Sequence, residues 1–280
     1  MKKNIDQKTV QSFGDEWAHF DQSGMNNTES LKIFKDYFDI FPWHKLPDNA
    51  EGFDMGCGSG RWANFVAPKI NHLHCIDPST AIDVARKNLH TFNNVSFHHG
   101  SLDDGILNEK SQDFGYSLGV LHHVPDTEKA ILSCTKLLKP GAPLLLYLYY
   151  AFDNRPLWYK LLWKLSDFLR KIIFHLPSPL KVLATNIIAA IIYFPLARLS
   201  NMLENFNFSI SSIPLSYYRN CSFYTMKTDA RDRFGTPLEQ RFSRARIAEM
   251  MEKAGLESIE FSNNAPYWCA LGYAKSDVKN

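Results

Sequence analysis

The stretch FDMGCGSGR, residues 53–61, decides the fold. It joins a short apolar run to a helical one and places Gly56, Gly58 and Gly60 at alternate positions. Glycines spaced in this way after a strand let the backbone approach a ligand that side chains would exclude. In a dinucleotide-binding loop, the third small residue counted from Gly56 would fall at position 61, which is Arg61. The spacing therefore weakens the prediction of a nicotinamide-dependent oxidoreductase.

Two carboxylates accompany this loop. Asp54 precedes it directly, and Asp77 lies in CIDPS at the end of the next predicted strand. A carboxylate about 20 residues beyond such a loop can accept hydrogen bonds from both hydroxyls of a ribose. Asp54 would place a second carboxylate near a cationic or amino group. Together they predict a site for a positively charged nucleoside, with an ordinary strand-to-helix turn bearing two surface acids as the alternative.

The segments around the loop predict an α/β fold, a doubly wound and mostly parallel sheet. Short β-prone runs alternate with helical runs through the first half of the chain, and a helix and two strands follow near its end. The predicted strands are 52–55, 73–76, 95–98, 114–117, 143–149, 256–262 and 268–275, and the predicted helices of this core are 61–69, 81–88, 127–138 and 243–254. Right-handed crossovers place the loops after parallel strands at one edge of the sheet, where ligands bind.

The core resembles the class I S-adenosylmethionine-dependent methyltransferases, over residues 50–150 and more loosely over 240–275. SLGVLHHV, residues 117–124, is similar to the motif at the fourth strand of that family, and LLKPGAPLLLYLY is similar to the segment that turns into the fifth. The resemblance implies a Rossmann-like fold and methyl transfer from S-adenosylmethionine, with S-adenosylhomocysteine as the product.

The resemblance also implies which residues bind the cofactor. Gly56, Gly58 and Gly60 would lie under its methionine and ribose parts, and Asp77 would hold the ribose hydroxyls. The other cofactor-binding residues it implies are Asp54, Leu118 and Gly119 beside the cofactor and, for adenine, Ser101, Asp103 or the backbone of Leu102. Many members carry an acid where this chain has Ser101, so the adenine contact departs from their pattern.

Residues 1–47 are rich in aromatic side chains and predict a helical cover over the ligand edge of the sheet. Within them, SFGDEW, residues 12–17, resembles a Phe-Gly-x-Glu-Trp element at the start of a group of bacterial methyltransferases. There the element covers the cofactor, which implies that Trp17 lies against the sulfonium, a favourable aromatic contact. The alternative is that Trp17 anchors the N-terminal helix in the core.

Methyl transfer from a sulfonium is an in-line displacement, so positioning and water exclusion matter more than a strong base. His122 and His123 follow the fourth strand and are candidate bases, with a structural role at a helix start as the alternative. Tyr224 is the third catalytic candidate. It belongs to a group of plausible acceptor contacts whose alternative is a solvated loop: Tyr217, Tyr218, Tyr224, Asp229, Arg231 and Arg233.

The sequence predicts no metal site and no disulfide framework. Its five cysteines are scattered without a C-x-x-C pair, and no His, Asp or Glu group has metal-ligand spacing. The net charge of +2 gives no reason to expect nucleic acid. The cysteine pattern and the lack of a signal peptide in the first residues predict a cytoplasmic protein.

Residues 151–227 leave the alternating pattern and predict an inserted helical lid between core segments 48–150 and 228–280. Residues 155–203 hold seven Lys or Arg against one acid, a net charge of +6, which leaves −4 for the rest of the chain. Residues 157–173 form a basic amphipathic pattern, and 182–199 an apolar run that predicts a buried or interfacial helix rather than a transmembrane one. The segment 157–199 is predicted to close the active site or form a homodimer, with peripheral membrane contact as the alternative.

The function predicted from the sequence is methyl transfer to an O or N atom of a small or lipid-linked acceptor, with a sugar hydroxyl as a competing acceptor. Two alternatives remain at this point. One is a non-catalytic module that keeps the cofactor fold as a membrane-associated scaffold, and the other, less favoured, is the oxidoreductase.

Overall fold

The structure is a computed structural model and describes residues 3–22, 24–210 and 212–276. The chain divides into two compact units, residues 1–21, 31–151 and 238–280 in the first and residues 22–30 and 152–237 in the second. The second unit runs to 237, whereas the sequence placed the end of the insertion at 227.

The first unit is built on a seven-stranded sheet in the order β3-β2-β1-β4-β5-β7-β6. Its strands are β1 (Glu51–Met55), β2 (His72–Asp77), β3 (Val95–His99), β4 (Phe114–Leu118), β5 (Pro143–Tyr147), β6 (Leu256–Phe261) and β7 (Cys269–Ala274). The first five are mutually parallel, and β7 is antiparallel to both β5 and β6. The predicted doubly wound, mostly parallel sheet is therefore confirmed.

Helices cover both faces of this sheet, because successive apolar side chains along its buried strands point to opposite faces. In β5, Leu144 and Leu146 face one core cluster while Leu145 faces the other. The helices of the first unit are α1 (Gln7–His19), α2 (Asn27–Tyr37, which begins in the second unit), α3 (Ala63–Val66), α4 (Ala81–Asn88), α5 (Thr127–Leu137) and α10 (Arg244–Lys253). Helices α5 and α10 pack in the first cluster, and α2, α3 and α4 in the second.

The second unit is helical in its described residues. It contains α6 (Leu157–Ile173), α7 (Ser178–Ile188), a π-helical segment (Ala189–Tyr193), α8 (Phe194–Asn205) and α9 (Phe223–Gly235). Helix α7, the π-helical segment and α8 run on as one helix, Ser178–Asn205, whose most apolar 18-residue window has a mean hydropathy of 1.8. By length and composition this helix is able to cross a membrane, and only 22% of its most apolar window is buried. The sequence predicted a buried or interfacial helix here, and the structure exposes most of it.

Candidate functional site

The strand order reverses between β1 and β4, which lie side by side at the centre of the sheet. At such a switch point the loops after the two strands diverge and leave a crevice for a ligand. The loop after β1 carries Gly56, Gly58 and Gly60, and Gly119 follows β4. The predicted cofactor residues of the core are therefore brought to one place.

Two features of the loop after β1 require glycine, namely its backbone conformation and the close packing of neighbouring side chains. Gly56 and Gly58 have φ of +79° and +53°, a region that other residues seldom adopt. A Cβ on Gly56 would collide with the Val120 side chain, and one on Gly58 would lie 3.1 Å from Nε1 of Trp17. The loop thus packs against Val120 and the Trp17 indole, which leave no room for a side chain at Gly56 and little at Gly58.

Asp77, at the end of β2, is buried and holds this loop. Its Oδ2 accepts from the Gly58 backbone N–H at 2.9 Å, and its Oδ1 accepts from the N–H and hydroxyl of Ser79 at 2.8 and 2.6 Å. Burial raises the pKa of Asp77, although these hydrogen bonds oppose the rise. A carboxylate has about four acceptor positions. Three are used within the protein, so about one is left for a ribose hydroxyl, fewer than the sequence implied.

Asp54, in β1, is almost fully buried, and neither of its carboxylate oxygens has a hydrogen-bond partner among the described residues. Burial raises its pKa to about 8, and the nearby Tyr116 hydroxyl offsets only part of this rise. The negative charge of Asp77 raises it further. Two buried carboxylates in one neighbourhood favour a ligand that brings positive charge.

Other buried polar atoms beside the loop also lack partners within residues 3–22, 24–210 and 212–276. They are the Ser59 hydroxyl and Nε of Arg61. Buried polar groups are rarely left unpaired, because each costs about 1–3 kcal/mol. Their gathering around one glycine loop is what a binding site for a polar ligand requires.

Helix α1 passes over this loop, within the same unit. Its Gly14 lies against Thr80, since a Cβ on Gly14 would come within 2.6 Å of the Thr80 hydroxyl oxygen. The ring of Phe13 packs edge-on against His123 with 4.9 Å between centroids. Trp17 is half-buried and borders Gly58. This position suits an indole that covers a ligand, and a ligand contact of Trp17 stays a prediction.

The predicted adenine contacts lie in the turn after β3. The N–H and hydroxyl of Ser101 both donate to Asp104 Oδ2, at 2.7 and 2.9 Å, and Lys3 pairs with the other oxygen of Asp104 at 2.5 Å. The hydrogen bond from Lys3 lowers the pKa of Asp104 to about 2. Asp103 accepts from the Asn4 N–H at 2.6 Å. The side chains of Ser101 and Asp103 are therefore engaged inside the protein. Leu102 was predicted to contact adenine through its backbone, so its predicted role does not depend on a side chain.

Leu118 ends β4 and Gly119 follows it, on the other side of the crevice. Gly119 has a φ of +81°, and no atom of the described chain lies within 4 Å of the place its Cβ would take. Its N–H donates to the Tyr147 carbonyl at 3.0 Å, which fixes the turn. The open side of Gly119 is consistent with its predicted place beside the cofactor.

His122 and His123 lie in a short 3₁₀ turn after β4, Leu121–His123, and both are buried. Nδ1 of His123 donates to the Leu238 carbonyl at 2.6 Å, so this ring is anchored. His122 stacks on Tyr149 at 3.9 Å, and neither of its ring nitrogens has a partner in the described part of the chain. Burial, aided by the neighbouring His123, holds the pKa of His122 well below its usual value. His122 is thus held in its neutral form.

Tyr224 belongs to the second unit, in the first turn of α9. Its hydroxyl accepts from the Gln22 N–H at 3.0 Å, and its ring packs on Gly24. On the same helix Arg231 is fully buried, and its Nε and Nη1 lack partners among the residues that the structure describes. Arg233 donates to the Ser166 hydroxyl at 2.9 Å. The structure thus gives Tyr224 a supporting contact inside its own unit.

Sequence reasoning missed Ser79 and Tyr116. Ser79 holds Asp77 through the Asp-Pro-Ser turn, and an Asp followed two residues later by Ser is a recognisable local hydrogen-bonding pattern. Tyr116 carries no such signal, because only the pairing of β1 with β4 sets it beside Asp54. Within the described ranges, no group of three His, Cys, Asp or Glu side chains is placed to hold a metal ion.

Comparisons with known proteins agree with this geometry. Residues 53–146 match the family model described as a methyltransferase domain. Phosphoethanolamine N-methyltransferase 2 of Caenorhabditis elegans is 32% identical over 126 residues, which cover 43% of this chain and 27% of that protein. A ubiquinone biosynthesis O-methyltransferase of Aromatoleum aromaticum is 33% identical over 107 residues, 36% of this chain and 43% of that protein. The chain spans less than half the length of these curated relatives.

A solved structure shares the fold. An O-methyltransferase family protein from Burkholderia thailandensis superposes with a TM-score of 0.51 at 15% identity, over 88% of this chain and 56% of that one. Identity at this level shows the fold alone. Residues 53–146 thus match a methyltransferase domain, and they contribute most of β1 and β5 and all of β2 to β4 to the mostly parallel, Rossmann-like sheet.

Proposed function

We propose that the protein is an S-adenosylmethionine-dependent methyltransferase that acts on an O or N atom of a small or lipid-linked acceptor. The observation that carries the proposal is the glycine loop with two buried carboxylates beside it, Asp54 unpartnered and Asp77 bound to Gly58. S-adenosylmethionine fits this site by its charge, because it brings the cationic groups that the two carboxylates need. When bound, it supplies the methyl group.

The residues of the loop would hold the cofactor as follows. Gly56 and Gly58 would lie under its methionine and ribose parts, and the remaining acceptor position of Asp77 would take a ribose hydroxyl. Asp54 faces its positive charge, while Leu118 and Gly119 border its adenosine. Trp17 covers the loop and excludes water from the reacting atoms, which strengthens the electrostatic contacts within the site.

The acceptor class rests on the relatives and on the second unit. Two matched proteins are named for O-methylation in ubiquinone biosynthesis and for N-methylation of phosphoethanolamine. The apolar composition of residues 151–227, which serve as a lid in this proposal, suits an acceptor with hydrophobic character. His122, neutral and unpartnered, is the candidate to accept a proton from a hydroxyl acceptor. We also infer a cytoplasmic protein.

Calorimetry and turnover test the proposal in sequence. S-adenosylmethionine and S-adenosylhomocysteine are titrated into the full chain, and the chain is then incubated with methyl-labelled S-adenosylmethionine. The acceptor panel contains a catechol, phosphoethanolamine, a free sugar and a total lipid extract. We expect binding of both cofactor forms and label transfer to at least one acceptor. No heat with either cofactor form would refute the proposal, and binding without transfer to any acceptor or to water would favour a non-catalytic module.

A further inference from the structure

Helix α6 exposes its apolar side chains and turns polar ones towards the rest of the second unit. Its large apolar side chains recur at helical spacing on the outside: Leu157, Leu161, Leu165, Phe168 and Ile172. Leu157 is 77% exposed, whereas Arg170 on the inner side is 6% exposed. A helix of a protein surrounded by water normally turns its apolar stripe inward. The stripe of α6 therefore faces outward from the second unit.

Polar contacts hold the inner side of α6. Arg170 donates from Nη1 to the carbonyls of Thr236 and Pro237, both at 2.9 Å, and pairs with Asp167 at 2.8 Å. Ser166 accepts from Arg233 of α9 at 2.9 Å. These contacts fix the rotation of the helix, because turning the apolar stripe inward would leave Arg170 without its carbonyl partners.

The long helix Ser178–Asn205 shows the same arrangement. Its buried side chains recur every three or four residues and, apart from Tyr193, are small: Thr185, Ala189, Tyr193, Ala197 and Ser200. Its exposed side chains include Leu180, Leu183, Ile187 and Ile191, the last 66% exposed. The small core of the second unit takes only Ala189, Tyr193 and Ala197 from this helix as fully buried members, while Leu183, Ile187 and Ile191 lie exposed outside it. Contiguous apolar surface of this kind marks an interaction site.

Positive charge borders this apolar surface. Lys160, Lys164 and Lys171 recur at helical spacing along one side of the α6 stripe, and Lys164 and Lys171 are exposed. Asp167, the one acid in residues 155–203, is already paired with Arg170 and Lys171. Apolar side chains flanked by lysines match an anionic lipid surface, with acyl chains under the stripe and headgroups at the lysines.

We propose that the outer apolar faces of α6 and of the helix Ser178–Asn205 dock the protein on the surface of an anionic phospholipid bilayer. The charge pattern favours this occupant over a second copy of the chain, because a second copy would bring the same lysines and no free acid to the contact. The polar and small side chains of the inner sides favour docking over crossing, since they pack within the unit. The inference does not depend on the proposed methyl transfer.

Vesicle flotation of the full chain tests the docking surface. The probes are phosphatidylcholine vesicles with and without one quarter phosphatidylglycerol. We expect flotation with the anionic vesicles, a loss of it at high salt, and little flotation with the neutral ones. Leu161→Glu is expected to weaken the apparent affinity at least tenfold, whereas Leu132→Glu, which adds the same charge at an exposed leucine of α5, is expected to leave it unchanged.

A second pair of matched variants tests the contribution of the lysines. Lys164→Gln is expected to weaken binding to anionic vesicles about fivefold, and Lys87→Gln, an exposed lysine of α4, to have no effect. Circular dichroism and thermal melting show whether each variant is folded. Three results would overturn the proposal: no flotation with anionic vesicles, equal losses for Leu161→Glu and Leu132→Glu, or retention in the membrane after alkaline carbonate washing. A dimer in solution that Leu161→Glu dissociates, together with no vesicle binding, would assign the surface to a second copy instead.

Discussion

The backbone N–H of Gly58 donates to the carboxylate of Asp77 across 2.9 Å, so the glycine loop and the end of β2 are joined before any ligand binds. The loop is held further by the Ile76 carbonyl, which accepts from the N–H groups of Gly56 and Cys57 at 2.8 and 3.1 Å. Asp77 thus orients the loop as well as offering an acceptor position to a ligand. Preorganisation of this kind reduces the entropy lost on binding.

Asp77→Ala is expected to weaken binding of S-adenosylmethionine and of S-adenosylhomocysteine at least tenfold, since a hydrogen bond to a charged group contributes about 1.5–3 kcal/mol. Ser79→Ala is the matched control, because it removes one hydrogen bond to Asp77 and leaves Gly58 bound. Its loss is expected to be smaller. Isothermal titration calorimetry measures both, and unchanged affinity in Asp77→Ala would remove Asp77 from the site.

Asp54 predicts a pH dependence of cofactor binding. Its pKa of about 8 leaves it mostly protonated at neutral pH. If its ionised form faces the cationic cofactor, affinity rises with pH by up to about tenfold per unit below pH 8 and levels off above it. Asp54→Asn is expected to bind more weakly and without this rise. The ratio of the two affinities at pH 6.5, 7.5 and 8.5 isolates Asp54 from the titration of the cofactor, and a constant ratio would contradict the assignment.

The raised pKa of Asp54 also leads us to expect that the stability of the ligand-free protein changes with pH. The folded protein holds a proton on Asp54 up to about pH 8, whereas the unfolded chain loses it near the ordinary value of 3.8. The contribution to stability is therefore complete below about pH 4 and is lost as pH rises towards 8. Thermal melting should show wild-type protein losing several degrees relative to Asp54→Asn between pH 5 and pH 8.5. Parallel curves for the two proteins would mean that Asp54 ionises normally.

Gly58→Ala and Gly105→Ala separate backbone strain from the lack of room for a side chain in the glycine loop. Both glycines have positive φ, +53° and +61°. A Cβ at 58 meets the Trp17 indole, while no atom of the described residues lies within 4 Å of one at 105. Each variant is expected to lose about 1–2 kcal/mol of folding free energy, but only Gly58→Ala should lose cofactor affinity. Denaturant unfolding and calorimetry measure the two effects, and equal cofactor affinity in both variants would argue against a ligand at Gly58.

Much of the first unit was predictable, because its signals are local. Helix α4 was predicted at residues 81–88, where it lies, and β1 to β4 each lie within a residue of their predicted ends. Strand β5 ends at Tyr147 rather than at 149. Glycine spacing and the strand that precedes it depend on neighbouring residues, so the position of the loop followed from the sequence.

The second unit was predictable only in part. The limits of α6 followed from its period, but which of its faces is buried did not, because an amphipathic pattern is the same whichever side packs inward. Arg170 decides the matter through the carbonyls of Thr236 and Pro237, which are distant in sequence. Helix α9 runs from Phe223 to Gly235, across the boundary that the sequence placed at 227, since few apolar residues mark its period.

We predict that His122→Phe and His123→Phe change the melting temperature in opposite directions. His122 is buried with neither ring nitrogen paired in the described chain, so an aromatic replacement removes a desolvation cost and keeps the stacking on Tyr149. His123 donates to the Leu238 carbonyl, and its replacement leaves that carbonyl without this donor. We expect His122→Phe to raise the melting temperature of the ligand-free protein by about 2–4 °C and His123→Phe to lower it by at least as much. Differential scanning calorimetry at pH 7.5, where His122 is neutral, measures both. A rise in His122→Phe alone would mean that the imidazole is kept at the expense of stability, as a group that meets the acceptor would be, and a fall in both variants would assign both histidines to structure.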